Sequence, residues 1–228
     1  MKIKIFIDTA DLEQIKKYRD KVDGFTTNPT LMRRAGIVDY EKWAKEVLKE
    51  VKNKPVSFEV LSNNFNEIGR QTKKISNWGE NVYVKIPRIN IKDLSLVSII
   101  EEFSREGIKI NVTAAMLPDH LVYIRNKAPM IFSLFCGRIA DTGLNPASII
   151  KEIIGRYAPN NDKVELLWAS CREVLNIYQA EEAGVDIITV TPEIFEKYEK
   201  FKDMSLQALS LLTVKQFYED GKASGYTL

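Results

Sequence analysis

Short runs rich in β-branched and aromatic residues alternate with helically spaced segments along almost the whole chain, and this alternation limits the possible folds more than any other feature. Strand-like runs fall at residues 3–7, 24–26, 56–60, 82–86, 108–112, 130–134, 164–168 and 185–190. Between them, helical patterns cover 11–19, 40–51, 64–76, 118–125, 145–157 and 171–183, with one more that runs to residue 106 and another that starts at Pro192. Thr9 or Asp11 is the expected cap of the first helix, and Asp93 or Ser95 of the one ending at 106. Asn145-Pro146 opens its helix by the cap-then-proline rule. Eight β-to-α steps with short connections require parallel neighbours joined by right-handed crossovers, and eight such units close on themselves. The expected fold is α/β, a single (β/α)8 TIM barrel, and a length of 228 residues suits one such domain.

The barrel is assigned residues 1–204, and 205–228 stand outside the repeat. Residues 205–218 read as an additional C-terminal helix, with Leu206, Leu209, Leu211, Leu212, Val214 and Phe217 spread over a wide face. Such a face must bury, either over its own barrel or on a neighbouring subunit, with 221–228 as a loose or exchanging tail. A homo-oligomer is therefore expected.

Composition removes several classes of function. The net charge is +2, with Lys and Arg scattered rather than in blocks, so no nucleic acid is expected as a partner. No apolar run approaches the roughly 20 residues that span a membrane, and the opening apolar run is too short for a secretory signal. Cys136 and Cys171 form no CxxC, so neither a disulfide nor a zinc site is expected, and the cytoplasm is the expected compartment. His120 is the single histidine, which rules out triads and His-rich metal sites, and it reads as a surface or capping residue at a helix start. Neither a metal nor a cofactor is implied. Any chemistry must rest on Lys, Asp, Glu, Thr, Ser and Arg.

In a parallel barrel, functional groups come from the C-terminal ends of strands and the loops after them. Those positions hold Asp8, Thr26-Thr27-Asn28, Glu59, Lys85, Asn111 and Thr113, Ser133 leading to Arg138, and Ser170 with Arg172. Strand eight offers Thr189 and Thr191. Asp8 and Asn28-Pro29, taken singly, also fit turn or cap roles. Lys85 differs from the rest, because Val82-Tyr-Val-Lys-Ile-Pro87 carries it into the barrel. Burial disfavours an ammonium, and a lysine brought toward neutrality is an amine nucleophile able to form a Schiff base with a carbonyl. Asp8 and Glu59, on neighbouring strands, can move protons for it. Arg138 and Arg172 with Ser170 suit a phosphate. Together they read as a site for a phosphorylated keto sugar.

Phe6-Ile-Asp-Thr-Ala, Asp23-Gly-Phe-Thr-Thr-Asn-Pro-Thr, Val84-Lys-Ile-Pro, Asn111-Val-Thr, Ser133-Leu-Phe-Cys-Gly-Arg and Ala169-Ser-Cys-Arg resemble, in order, the short transaldolases and related fructose-6-phosphate aldolases. The resemblance runs from residue 3 to about 195. It implies a cofactor-free transfer of a dihydroxyacetone unit from a ketose phosphate to an aldose. Lys85 would be the Schiff-base lysine, Asp8 the acid–base group on the cleaved hydroxyl, and Glu59 the carboxylate working through a water that Thr113 holds. Thr26, Asn28, Asn111 and Ser133 would bind the dihydroxyacetone part, and Arg138, Ser170 and Arg172 the phosphate. Glu59 and Phe135 stand where the aldolases have Gln and Tyr. Phenylalanine has no hydroxyl to protonate the carbanion, so the resemblance implies transfer rather than release.

The rim departs from the family pattern at Arg88-Ile-Asn, Ala114-Ala-Met and Trp168. Arg88 is expected to place a positive charge at the mouth and to select an acidic or larger sugar. Two other readings stand beside transfer: an aldolase releasing free dihydroxyacetone, and a barrel that binds phosphosugars without catalysis.

Overall fold

The computed structural model describes residues 2–122, 127–157 and 164–226. In chain order the elements are β1 (Lys4–Asp8), α1 (Leu12–Tyr18), β2 (Gly24–Thr26), α2 (Pro29–Arg34), α3 (Tyr40–Val51), β3 (Val56–Glu59) and α4 (Phe65–Ser76). Then come β4 (Val82–Pro87), α5 (Val97–Arg105), β5 (Ile110–Ala115), α6 (Asp119–Val122), β6 (Met130–Leu134), α7 (Cys136–Asp141) and α8 (Pro146–Tyr157). The chain ends with β7 (Val164–Trp168), α9 (Leu175–Ala183), β8 (Ile187–Val190), α10 (Pro192–Phe201) and α11 (Leu206–Ser224). The strands are parallel and close in sequence order, β8 pairing with β1, which makes the (β/α)8 barrel.

Local chemistry explains most helix ends. Asp11 caps α1 by accepting from Glu13 N–H at 2.8 Å, and Asp39, Asn64 and Ser205 do the same for α3, α4 and α11. Two short helices have no counterpart in the sequence reading. Asn28 caps α2, accepting from Leu31 N–H at 3.0 Å with Pro29 next to it, and α7 begins without any side-chain cap. Leu96 holds the N-cap position of α5 without a side-chain bond, while Ser95, one residue earlier, accepts from Val97 N–H, the first of the helix, at 3.3 Å. The expected helix at 118–125 is α6 over its first residues, and 123–126 lie outside the described residues.

Strand pleating divides the core in two. Ile7, Phe25, Phe58, Val84, Ile86, Val112, Phe132 and Ile188 face outward and pack beneath the helices. Phe6, Ile131, Leu167 and Ile187 fill the barrel's interior, so it is a packed core and not a pore. Burying a side chain such as Phe6 contributes about 1.5–3 kcal/mol. Gly24 makes room for it, since a Cβ there would lie 2.6 Å from the Phe6 ring.

The C-terminal helix runs beyond the expected 218 to Ser224, through Gly221, and stops where Gly225 takes a left-handed conformation at φ 67°. No residue of α11 is buried in this chain: Leu206 is 83% and Phe217 68% exposed.

Candidate active site

Above the apolar plug, the inward positions of seven strands become polar. Asp8 ends β1, Thr26 ends β2, Ser57 and Glu59 lie on β3, Lys85 on β4, Asn111 and Thr113 on β5, Ser133 on β6 and Thr189 on β8. Lys85 is buried, and its Nζ donates to the Thr27 carbonyl at 2.8 Å and lies 3.2 Å from Glu59 Oε2. Strand register explains the meeting, because Glu59 and Lys85 sit directly opposite each other on β3 and β4. The carboxylate nearest the amine is thus also the one placed to take its proton.

Asp8 receives two hydrogen bonds, from Thr26 Oγ1 at 2.8 Å and Asn28 Nδ2 at 3.2 Å. Burial nevertheless holds its carboxyl above the ordinary carboxylate range, outweighing the nearby Lys85 charge and both hydrogen bonds. Since Thr26 donates to Asp8, the 2.6 Å contact between the Thr26 and Thr189 hydroxyls has Thr189 donating. A directed chain runs Thr189 to Thr26 to Asp8. On the opposite wall, Ser133 Oγ donates to Asn111 Oδ1 at 2.7 Å, and Asn111 Nδ2 donates to Ser57 Oγ at 3.0 Å. Every member but the partly buried Asp8 is buried, which restricts the orientations these groups can take.

Thr113 is buried and its Oγ1 has no hydrogen-bond partner among the described residues. A buried hydroxyl left in that condition is a ready anchor for a water or a substrate oxygen. Beside it β5 carries an irregularity: the register with β6 shifts between Val112 and Ala115, and Ala114 sits at φ 56°. Bulges of this kind re-aim side chains beside functional sites.

The expected phosphate corner is built differently. Gly137 at the start of α7 presses against the loop after β7 so closely that a Cβ would fall 1.7 Å from the Ser170 carbonyl oxygen and 3.0 Å from Arg172 Nε. Ser170 itself has φ 64°. Arg138 lies 5.6 Å from the Phe135 ring, and Phe135 packs on the interior cluster. Arg138 and Arg172 are exposed, and Arg172 pairs with Asp141 of α7. An anion binding here would compete with that carboxylate.

Arg88 takes a different place from the one its sequence position suggested. Its guanidinium is buried and donates to the His120 carbonyl at 3.0 Å and the Ser95 hydroxyl at 2.8 Å. It joins the β4–α5 loop to α6. His120 is half-buried, with Nδ1 facing Met116 N–H at 3.5 Å, and burial followed by the Arg88 charge lowers its pKa. His120 thus lies within α6 and meets an N–H that precedes that helix, so it neither caps α6 nor stands free at the surface. Among the described residues, no three or more His, Cys, Asp or Glu side chains are grouped so as to hold a metal ion.

Ser57 was not singled out in the sequence, although its spacing of two before Glu59 puts it on the same face. Thr27 contributes through its carbonyl, which no side-chain pattern reports.

The family model described as Transaldolase/Fructose-6-phosphate aldolase matches residues 5–226. A protein of Bdellovibrio bacteriovorus named "Probable transaldolase" is 32% identical over 220 residues, which is 96% of this chain and 97% of that one. A "Probable transaldolase" of Nitrosopumilus maritimus is 34% identical over 200 residues, 86% of each chain. The solved 3-hexulose-6-phosphate synthase of Salmonella typhimurium has a TM-score of 0.55 at 15% identity, covering 85% of this chain and 91% of that one, a likeness of fold alone.

Proposed function

The chain belongs to the transaldolase/fructose-6-phosphate aldolase family, and from that premise we propose that it transfers a dihydroxyacetone unit from a ketose phosphate to an aldose through a Schiff base on Lys85. The observation that carries this reading is the buried Lys85 Nζ, held between the Thr27 carbonyl at 2.8 Å and Glu59 at 3.2 Å, with its charge felt by Asp8.

In this mechanism the Lys85 amine, its proton passed to Glu59, attacks the ketose carbonyl. Glu59 then returns protons through a water on Thr113 Oγ1 as the carbinolamine loses water. Asp8 takes the proton of the hydroxyl on the far carbon of the bond to be broken, the carbon that becomes the leaving aldehyde. That bond cleaves, an aldehyde leaves, and its electron pair stays on the lysine-bound three-carbon unit as an enamine. An acceptor aldehyde then reacts with the enamine, Asp8 gives back its proton, and water frees the new ketose from Lys85. Thr26, Asn28, Asn111 and Ser133 hold the three-carbon hydroxyls, while Arg138, Ser170 and Arg172 meet the phosphate.

Phe135 favours transfer over release, because no hydroxyl stands there to protonate the enamine carbon. Donor supplied without acceptor should then stall after a single turnover per site, whereas an aldolase would continue. Borohydride reduction in the presence of fructose 6-phosphate, read by intact mass, tests the covalent step. An adduct is expected on the wild-type chain and none on Lys85→Ala. No wild-type adduct, or one that persists in Lys85→Ala, would end the proposal.

The uncovered apolar residues of α11 support a homo-oligomer in which this helix packs on a neighbouring copy. Sedimentation of a chain ending at Ser205 is expected to show a smaller assembly than the full chain. An unchanged assembly would refute that role.

A further inference from the structure

The β2 strand is only three residues long, and at Asn28 the chain already turns into α2. Its neighbour β3 therefore outlasts it. The last bond of that ladder runs from Thr27 N–H to the Ser57 carbonyl at 3.3 Å. Successive residues of a parallel strand turn their main-chain groups to opposite neighbours. Val60 N–H donates toward β4, to the Lys85 carbonyl at 3.1 Å, so the N–H and C=O of Glu59 face the side that β2 has left. Two partly buried main-chain groups would be unpaired at the residue whose carboxylate meets Lys85, an arrangement that costs free energy wherever water cannot fully replace the bonds.

One phenol takes both. Tyr40 Oη, at the start of α3, donates to the Glu59 carbonyl at 3.1 Å and accepts from Glu59 N–H at 2.8 Å. Its ring is locked in a cluster, edge-on to Trp78 at 5.2 Å and Phe58 at 6.3 Å and tilted against Trp43 at 6.1 Å. Trp43 in turn donates its indole N–H to the Ala10 carbonyl at 3.1 Å, two residues after Asp8. Burial pushes the Tyr40 pKa well above its ordinary value, so the hydroxyl remains a donor.

We propose that Tyr40 is a positioning residue, its hydroxyl standing in for the missing strand at Glu59 and so fixing the carboxylate's approach to Lys85. The inference rests on the Schiff-base reading of Lys85 and Glu59. Tyr40 touches no reacting atom in it. What it controls is the rate at which protons move during imine formation, because a displacement of about 1 Å in a reacting group can cost up to about a hundredfold in rate.

Tyr40→Phe keeps the ring and removes only the hydroxyl. With fructose 6-phosphate, borohydride-quenched imine formation is expected to slow about tenfold while the donor's half-saturation concentration stays put. In a Glu59→Gln background the same substitution should change nothing further, because the group it positions is already lost. Wild-type rates in Tyr40→Phe, or losses that multiply in the double variant, would overturn the proposal. If Glu59→Gln itself keeps the wild-type rate, the reading of Glu59 falls and Tyr40's role falls with it. If Glu59→Gln is impaired and Tyr40→Phe is not, only the proposal for Tyr40 falls. The native chain gives an answer independent of any folding defect. Its Glu59 amide should exchange with solvent as slowly as the paired amides of β3, and fast exchange there would refute the bond on which the proposal stands.

Discussion

Two lysine–glutamate pairs sit at opposite ends of the same barrel. At the C-terminal end of the strands, Lys85 and Glu59 lie 3.2 Å apart with side chains only 7% and 17% exposed. At the N-terminal end Lys4 of β1 pairs with Glu165 of β7, and those side chains are 52% and 34% exposed. Phe6, Ile131, Leu167 and Ile187 separate the two. The lower pair is hydrated, so its attraction is screened and either partner can be lost cheaply. The upper pair is walled in beside a third ionisable group, Asp8, and neither charge can be removed without stranding another. Identical residue types thus form a hydrated rim contact at one end and a buried pair, the one proposed to carry the chemistry, at the other. The difference lies in water, not in the side chains.

The largest test of that contrast is to remove each lysine in turn. Lys85→Ala should lower turnover by at least ~10³-fold, the scale of losing a covalent nucleophile, while Lys4→Ala leaves turnover where it was. Comparable losses from both would erase the distinction between the two ends.

Asp8 gives the next largest effect. Asp8→Asn should cost roughly 10²–10⁴-fold in turnover through loss of the proposed acid–base group. It should also change how stability depends on pH. Asp8 titrates above its ordinary 3.8 in the folded chain because burial dominates over Lys85, Thr26 and Asn28. As pH rises past 3.8 the unfolded carboxyl ionises first while the folded one still holds its proton. Asp8 therefore withdraws stability from that pH upward until the folded value is passed. Urea unfolding of the two proteins should show a difference that grows in favour of Asp8→Asn as pH is raised above 3.8. A gap constant with pH would mean that burial does not govern this carboxylate.

The upper end was legible in the sequence to the degree that strand phase decides it. Lys85, Glu59, Asp8, Asn111 and Ser133 all stand at inward positions near strand ends, and period two together with the parallel-barrel rule locates them. The eight strands were readable for the same reason, as apolar runs bounded by turns. What escaped depends on where strands stop relative to their neighbours. The short β2 leaves Glu59's main chain to Tyr40, and no local pattern on α3 announces it. Arg88 follows a strand and looked like a mouth charge, but its guanidinium meets the His120 carbonyl and the Ser95 hydroxyl, acceptors that only the folded loops bring together. The short α7 lacks a capping side chain, so its start gave no signal either.

Ala114 probes how rigidly the upper end is held. At φ 56° an alanine carries a steric cost that glycine does not, set against glycine's greater loss of chain entropy on folding. Ala114→Gly should raise stability by about 0.5–1 kcal/mol, read as a higher denaturation midpoint at unchanged slope. A lower midpoint would mean that the methyl group contributes more through packing than its backbone strain removes.

The smallest effect belongs to the lower pair itself. The Lys4 pKa is raised chiefly by its hydrogen bond to Glu165, with added attraction from Glu165, Asp186 and Asp23, and opposed by partial burial. A raised lysine value means stability that is present below the unfolded value and lost as pH climbs through the folded one, so it is fully present at neutral pH. With both partners a third or more exposed, screening leaves about 0.5 kcal/mol. A double-mutant cycle of Lys4→Ala and Glu165→Ala should return a coupling of that size, shrinking toward zero as salt is added. A coupling of several kcal/mol that salt does not touch would place the lower pair in the same desolvated class as Lys85 and Glu59, and the contrast between the two ends would fail.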